Sequence, residues 1–343
     1  MIDVATEYAV VSNGLTSETH AFVAGSADAA KARVALIGDL GFENARSVPP
    51  IEQLTASGSL DALFHVGDLA YDLHHDEGRM ADRFLQLMQG IAARIPYQVL
   101  PGNHEEHNGF AQFDSLFSMV DSRSQAINNL FYSVNLGPLH VVSVTNEFYF
   151  FHGKYLQKEL RRQHQWLEAD LAHANQETQR RRRPWILVLS HRPMYCSSAE
   201  AAYQWEQPVV RDGLPGSVEG MEQLMQRHNV DLYVSGHMHV YERTHPVFQG
   251  KRTDEPVADS VTRHTYKDPK SPIHIVTGAA GCEYDVPVIP ETPAPAYTAV
   301  RSNEYSFTRI DATRDRLHVR QIHADNSSRQ IDEFIILKTS ESK

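Results

Sequence analysis

The sequence predicts an α/β fold, and three observations carry that prediction. From Arg33 onward, apolar runs of strand length alternate with loops and with segments of helical periodicity. A length of 343 residues fits one large α/β domain, or one with a smaller appendage. Five short polar motifs each begin where an apolar run stops, the position at which open α/β sheets gather ligand-binding loops from distant parts of a chain.

Taken in order, residues 6–24 hold two extended runs, Tyr8-Ala9-Val10-Val11 and His20-Ala21-Phe22-Val23, around the turn signal Ser12-Asn13-Gly14, and read as a β-hairpin. An isolated two-stranded hairpin is marginal in water, so this one packs on the main domain or belongs to something larger. Small residues from Ala24 to Ala32 read as a linker. Strands are expected at Arg33–Ile37, Ala62–Val66 and Tyr97–Leu100, with Met80, Phe84, Leu87, Met88 and Ile91 at helical spacing between the last two. Phe131–Leu136 and His140–Val144 form a second hairpin around Gly137-Pro138. Leu156, Leu160, Leu167 and Leu171 mark an amphipathic helix before the strand Trp185–Leu189. Leu232–Val234 and Ile273–Val276 follow as strands, and the chain closes with two more, Leu317–Ile322 and Phe334–Leu337, joined by Asp325-Asn326-Ser327-Ser328. The proline-rich segment Pro287–Ala296 is held extended, and its place after the turn Thr277-Gly278-Ala279-Ala280-Gly281 suits a pocket wall.

Composition narrows the function. A formal net charge of −11 argues against a nucleic-acid-binding surface. No run of eighteen apolar residues occurs, so membrane insertion is not expected. Met1-Ile2-Asp3-Val4-Ala5-Thr6-Glu7 lacks both a basic and an apolar region, so no signal peptide is expected. Cys196 and Cys282 pair if the fold brings their loops together in an oxidising compartment, or remain buried thiols.

The five motifs are Gly38-Asp39-Leu40-Gly41, Gly67-Asp68-Leu69-Ala70-Tyr71, Gly102-Asn103-His104-Glu105, Ser190-His191 and Gly236-His237-Met238-His239. Their side chains offer two carboxylates, a phenol, an amide oxygen and three imidazoles, which is a donor set for two adjacent metal ions sharing one bridging group. That composition reads as a dinuclear metallohydrolase. Asp68 is placed to bridge, Asp39 adds an anion to one ion, Asn103 a carbonyl oxygen, and His191, His237 and His239 imidazoles. Alternation along an extended segment points His237 and His239 the same way, whereas a loop geometry splits them between the ions. Tyr71 is the informative addition. A phenol of ordinary pKa about 10 stays deprotonated at low pH only beside a strongly polarising ion, which points to ferric iron. His104, next to a presumed ligand, faces substrate as a hydrogen-bond donor to a phosphoryl oxygen or a proton donor to the leaving group, with Glu105 to orient it.

Other segments read more plainly. His74 and His75 with Asp76 read as a solvated loop rather than a metal site, and Arg180–Arg183 as the basic end of a helix, favourable to its dipole. Asn326-Ser327-Ser328 is a glycosylation sequon on a turn, relevant only to a secreted chain.

With these motifs in this order the chain resembles a purple acid phosphatase of the calcineurin-like metallophosphoesterases. The resemblance extends through Gln165-Trp166-Leu167-Glu168, His191-Arg192-Pro193-Met194-Tyr195-Cys196, Tyr241-Glu242-Arg243 and the closing strands, covering roughly residues 33–338. It implies a four-layer α/β/β/α sandwich over residues 31–343. Residues 1–30 would then be a hairpin and linker, the remnant of an Ig/fibronectin-like β-sandwich domain. It implies a ferric site of Asp39, Asp68, Tyr71 and His239, and a divalent site (zinc, manganese or ferrous iron) of Asp68, Asn103, His191 and His237. Asn103, His104 and His191 would also contact substrate. A metal-bound hydroxide would hydrolyse phosphomonoesters at acidic pH, with His104 assisting and Asp68 completing the catalytic pair. Small phosphorylated substrates are implied as partners, and secretion or a lysosome as the compartment. Two departures from the family pattern stand out. Only residues 6–24 correspond to the sandwich domain, and Ser198, Ala199, Glu200 and Ala201 replace the histidines that some relatives carry after the strand-terminal His. The alternatives are a phosphodiesterase or nucleotide pyrophosphatase of the same superfamily, and a catalytically weak metal-binding scaffold.

Overall fold

Two mixed sheets pack face to face, and helices cover their outer faces. The computed structural model describes residues 5–23, 25, 29–151, 154–198, 203–260, 263–282, 289 and 293–339. Half of the proline-rich segment, part of the expected linker, and Ala199, Glu200 and Ala201 lie outside the described residues.

Among the described residues the first sheet has eight strands, running from edge to edge Ala258–Ser260, Arg263–Lys267, Gln330–Leu337, Arg316–His323, Ser306–Thr313, Lys31–Ile37, Ala62–Val66 and Tyr97–Leu100. The second has seven: Thr298–Ser302, Tyr241–Thr244, Ile273–Thr277, Leu232–Ser235, Trp185–Leu189, Leu139–Val144 and Phe131–Leu136. Period-two alternation explains the layering. In Lys31–Ile37, Val34 and Leu36 face the opposite sheet, where they meet Leu187, Leu189, Leu232 and Ile275, while Ala35 and Ile37 face the helices. In Trp185–Leu189 the same alternation sends Ile186 and Val188 outward to the helix layer. Arg79–Ala92 buries Ala81, Phe84, Met88 and Ile91 against the first sheet. Lys154–Ala174 buries Leu160, Leu167 and Leu171 on the second side. Each such fully buried Leu, Ile, Met or Phe side chain contributes roughly 1.5–3 kcal/mol relative to exposure.

Two buried strands carry little apolar signal in the sequence. Ser306–Thr313 lies between Lys31–Ile37 and Arg316–His323, so three long strands, not two, close the chain. Its inner face is Thr308, Ile310 and Ala312, with Arg309 and Asp311 between them, a pattern thin in apolar signal. Tyr241–Thr244 is buried despite its polar sequence. There Arg243 Nε lies 2.5 Å from Asp332 and the Tyr241 hydroxyl donates to the same carboxylate at 2.6 Å, tying the two sheets together through a fully partnered ion pair.

The N-terminal hairpin is present, with Ala5–Tyr8 antiparallel to His20–Val23 and Val11–Ser12 paired to Leu15–Thr16 at the tip. The Tyr8 hydroxyl donates to the Ala93 carbonyl at 2.9 Å, fastening the hairpin to the end of helix Arg79–Ala92. Cys196 and Cys282 are both buried thiols and form no disulfide. Among the described residues no helix is long and apolar enough to cross a membrane.

The strands that carry the motifs run parallel within each sheet: Lys31–Ile37, Ala62–Val66 and Tyr97–Leu100 in one, Trp185–Leu189 and Leu232–Ser235 in the other, with Ile273–Thr277 parallel beside the last. Their carboxyl ends meet. The Gly38 N–H donates across the sandwich to the Thr277 carbonyl at 3.0 Å, and Asp39 N–H to Gly67 C=O at 3.2 Å.

Candidate metal centre

Four of the candidate ligands sit in left-handed backbone: Asp39 at φ 56°, Asp68 at 52°, Tyr71 at 45° and His237 at 69°. Such conformations cost about 1–3 kcal/mol each for residues with a side chain and cluster at functional sites. The flanking glycines let the chain make these turns at close quarters. A Cβ on Gly67 (φ 92°) would stand 2.4 Å from His191 Nδ1, and one on Gly236 2.3 Å from Asp39 Oδ2.

The side chains gather into two groups, one around Asp68 and one around Asp39. In the first, His191 Nδ1 lies 2.9 Å from the Val66 carbonyl, which can only accept a hydrogen bond, so Nδ1 carries the proton. Its Nε2 then faces Asn103 Oδ1 at 3.1 Å and Asp68 Oδ2 at 3.3 Å. Ring nitrogens of His191 and His237 and a carboxylate oxygen of Asp68 all lie within 4.8 Å of one another. In the neutral imidazole, Nε2 is an acceptor facing two other acceptors, an arrangement that suits a cation at its centre. In the second group the Tyr71 hydroxyl donates to Asp39 Oδ1 at 3.2 Å and lies 2.8 Å from His239 Nε2, which is itself 3.4 Å from Asp39 Oδ1. The thiol of Cys282 lies within hydrogen-bonding reach of both Tyr71 and His239. The positive φ of His237 breaks the extended run, so His237 and His239 are split between the two groups.

Electrostatics follow from burial and this carboxylate pair. Burial, and then the Asp39 and Asp68 charges, push the Tyr71 phenol well above its ordinary value. Burial disfavours charged imidazoles, yet Asp68 holds His191 up at about 10, and Asp39 and Cys282 hold His239 up at about 11. Burial works against the Asp68 carboxylate, but His191 outweighs it and holds that carboxyl far below the ordinary range. Both groups therefore trade protons for a cation when one binds.

His104 sits at the mouth, its ring 4.3 Å from that of Tyr71 and its Nε2 4.0 Å from Asp68 Oδ2. Glu105 does not orient it. The buried Glu105 carboxylate accepts the backbone N–H groups of Asp68, Leu69 and Gly102, each at 2.9 Å, and so locks the two ligand turns. It is Asp72 that holds His104, with Oδ1 2.5 Å from Nδ1. Burial opposes a charged His104, but the Asp68 and Asp72 carboxylates outweigh it and hold the imidazole above its ordinary range. His237 is held similarly: Glu206 Oε2 lies 2.8 Å from its Nε2, and Glu206 is paired to Arg192, which is in turn paired to Glu147. Asp72 and Glu206 escaped the sequence reading. Asp72 had a signal, a carboxylate directly after a candidate ligand, whereas Glu206 lies in a different helix, Glu206–Asp212, with nothing local to mark it.

Two sheets meeting at a cradle of carboxylate, phenol, amide and imidazole donors define a metallophosphoesterase. Residues 32–241 match the calcineurin-like phosphoesterase family, and residues 271–333 match the iron/zinc purple acid phosphatase-like C-terminal family. The chain is 38% identical over 310 residues to acid phosphatase type 7 of Homo sapiens, covering 89% of this chain and 67% of that protein. It is 27% identical to purple acid phosphatase 22 of Arabidopsis thaliana over 87% of this chain and 61% of the relative. In structure it is similar to a purple acid phosphatase from yellow lupin (Lupinus luteus) seeds, with a TM-score of 0.74 and 22% identity over 96% of this chain and 58% of the lupin chain. The chain therefore belongs to the calcineurin-like phosphoesterases, among their purple acid phosphatase-like members, and is an enzyme of the acid phosphatase kind.

Proposed function

We propose that the chain hydrolyses phosphomonoesters at acidic pH with two metal ions bound at the meeting of the two sheets. The ferric ion would be held by Asp39, Asp68, Tyr71 and His239, and the divalent ion (zinc, manganese or ferrous iron) by Asp68, Asn103, His191 and His237. The observation that carries this reading is a pair of donor groups, one built on Asp68 and the other on Asp39. One is rich in anionic oxygen, with Asp39 Oδ1, the Tyr71 hydroxyl and His239 Nε2 within 3.4 Å of one another; the other is imidazole and amide around one carboxylate. When bound, such a pair supplies charge neutralisation for the phosphoryl oxygens and an activated water at low pH.

The protein's own residues do the rest. With Nδ1 held by Asp72, His104 presents Nε2 to the site, half-exposed and 4.0 Å from Asp68 Oδ2. Kept protonated by the two carboxylates, it hydrogen-bonds a phosphoryl oxygen or gives its proton to the departing alkoxide. Asn103 and His191, side by side at 3.1 Å, fix the floor beneath the substrate. Glu206 and Val66 fix the ring orientations of His237 and His191, the office that acceptors behind a ligating imidazole perform.

Turnover of a monoester and the matching diester by metal-loaded protein tests the reading. A preference for the monoester at acidic pH is expected. A preference for the diester would move the chain to the phosphodiesterases, and absence of turnover with both metals bound would leave a metal-binding scaffold.

A further inference from the structure

The loop after Tyr71 gathers a further set of ligand-type side chains, outside the two groups built on Asp68 and Asp39. One ligand atom each from Asp72, His74 and His75 lies within 4.8 Å of the others. The sequence pairs the histidines with Asp76, but in the structure Asp76 is occupied by Arg79 at 2.7 Å and Arg83 at 3.3 Å. Asp72 takes its place. His75 Nε2 stands 3.3 Å from Asp72 Oδ2. That is longer than the ~2.9 Å of an ordinary N–H···O bond. It matches the roughly 3.3 Å between two ligands held ~2.0–2.1 Å from one tetrahedral ion. The His74 ring lies parallel to His107, with centroids 3.9 Å apart and planes 7° from parallel, which fixes its orientation. Desolvation, and then the neighbouring His107, hold the His74 imidazole below its ordinary range and keep its lone pair free. With His75 55% exposed and Asp72 20% exposed at the side chain, the cluster opens to solvent without passing through the deep centre.

We propose that Asp72, His74 and His75 form a third metal site, at the rim of the active centre, for a divalent cation of the zinc class. Two imidazoles and one carboxylate are the donor set of open zinc sites, with water in the remaining position. The site has a consequence that rests on the function proposed above. Asp72 serves both sides, with Oδ1 on His104 and Oδ2 toward His75. Drawing this carboxylate onto an ion loosens its hold on His104, so occupation of the rim site lowers turnover.

The test titrates Zn²⁺ into protein already loaded with its two deep-centre metals, followed by calorimetry and by metal analysis after desalting. One further zinc per chain is expected, lost or bound at least tenfold more weakly in the variant His74→Ala/His75→Ala, with the deep-centre metal content unchanged. The same zinc should lower monoester turnover in the wild type and not in the variant, whose turnover without added zinc should match the wild type. Equal zinc uptake by wild type and variant, or no zinc beyond the deep-centre pair, overturns the proposal. His75→Gln, an exposed substitution, gives the same comparison if the double variant melts early. If neither protein hydrolyses a phosphoester, the functional reading fails while the zinc count still decides the rim site.

Discussion

Asp72→Asn isolates the part of the site that the structure added to the sequence. The substitution keeps the shape of the side chain and an oxygen to accept from His104 Nδ1, and removes the charge. A hydrogen bond to a charged group is worth about 1.5–3 kcal/mol, and the 2.5 Å contact between two side chains that are 35% and 20% exposed falls within that class. At 1.36 kcal/mol per factor of ten, kcat should fall about 10- to 100-fold for a substrate whose leaving group needs a proton. A poorly basic leaving group such as p-nitrophenolate should feel much less. The sign of the pH effect also follows. Removing a neighbouring negative charge disfavours the imidazolium, so His104 loses its proton at lower pH and the alkaline limb of kcat moves toward acid. The assay is kcat and KM across pH with an alkyl and a nitrophenyl phosphate, in the absence of added zinc and with metal content measured alongside. An unchanged alkaline limb, or an equal loss with both substrates, would refute the role given to Asp72.

Asp68→Ala should lose both deep-centre metals, because the proposed ligand sets share its carboxylate; metal analysis that still finds one tightly held ion would show that it does not bridge. Glu206→Gln should weaken the divalent ion about 10- to 100-fold while sparing the ferric one, since it orients His237 alone; competition against a chelator measures this. In metal-free protein, His191 and His239 titrate at about 10 and about 11, above the ordinary imidazole value of 6.5. Their contribution to stability is therefore complete below pH 6.5 and is lost as pH rises through 10 and 11, so the melting temperature of the metal-free protein should fall between pH 7 and 11. Metal loading near pH 7 should release protons, seen by calorimetry in buffers of different ionisation heat; loading without proton release would contradict the assignment.

Much of the fold was legible because its strands are short apolar runs buried on both faces. Ala62–Val66, Tyr97–Leu100, Phe131–Leu136 and Trp185–Leu189 have the bounds that the sequence suggests. Ser306–Thr313 and Tyr241–Thr244 were not legible, because their burial rests on polar partners as well as on a few scattered apolar residues. Thr308 bonds Thr277 and Gln321, and Arg243 is neutralised by Asp332, contacts between residues distant in sequence. The same division runs through the site. Residues that end strands announce themselves by position, and all seven candidate ligands meet where the strands of the two sheets end. The residues behind them depend on tertiary placement. Glu105 neighbours His104 in sequence but turns to the backbone of another loop, and Asp72 reaches His104 from thirty-two residues away. The split of His237 from His239 turned on one positive φ that alternation does not foresee.

The visible absorption spectrum of the purified protein, taken with iron and total metal per chain, tests the central claim most directly. The structure pushes the Tyr71 phenol well above its ordinary value in the absence of metal, so a tyrosinate here requires a strongly polarising ion beside Asp39. A broad band in the middle of the visible range is expected, with two metals per chain, iron among them, and bleaching of the band in Tyr71→Phe. A colourless protein carrying two zinc or manganese ions, or a band that survives Tyr71→Phe, would contradict it.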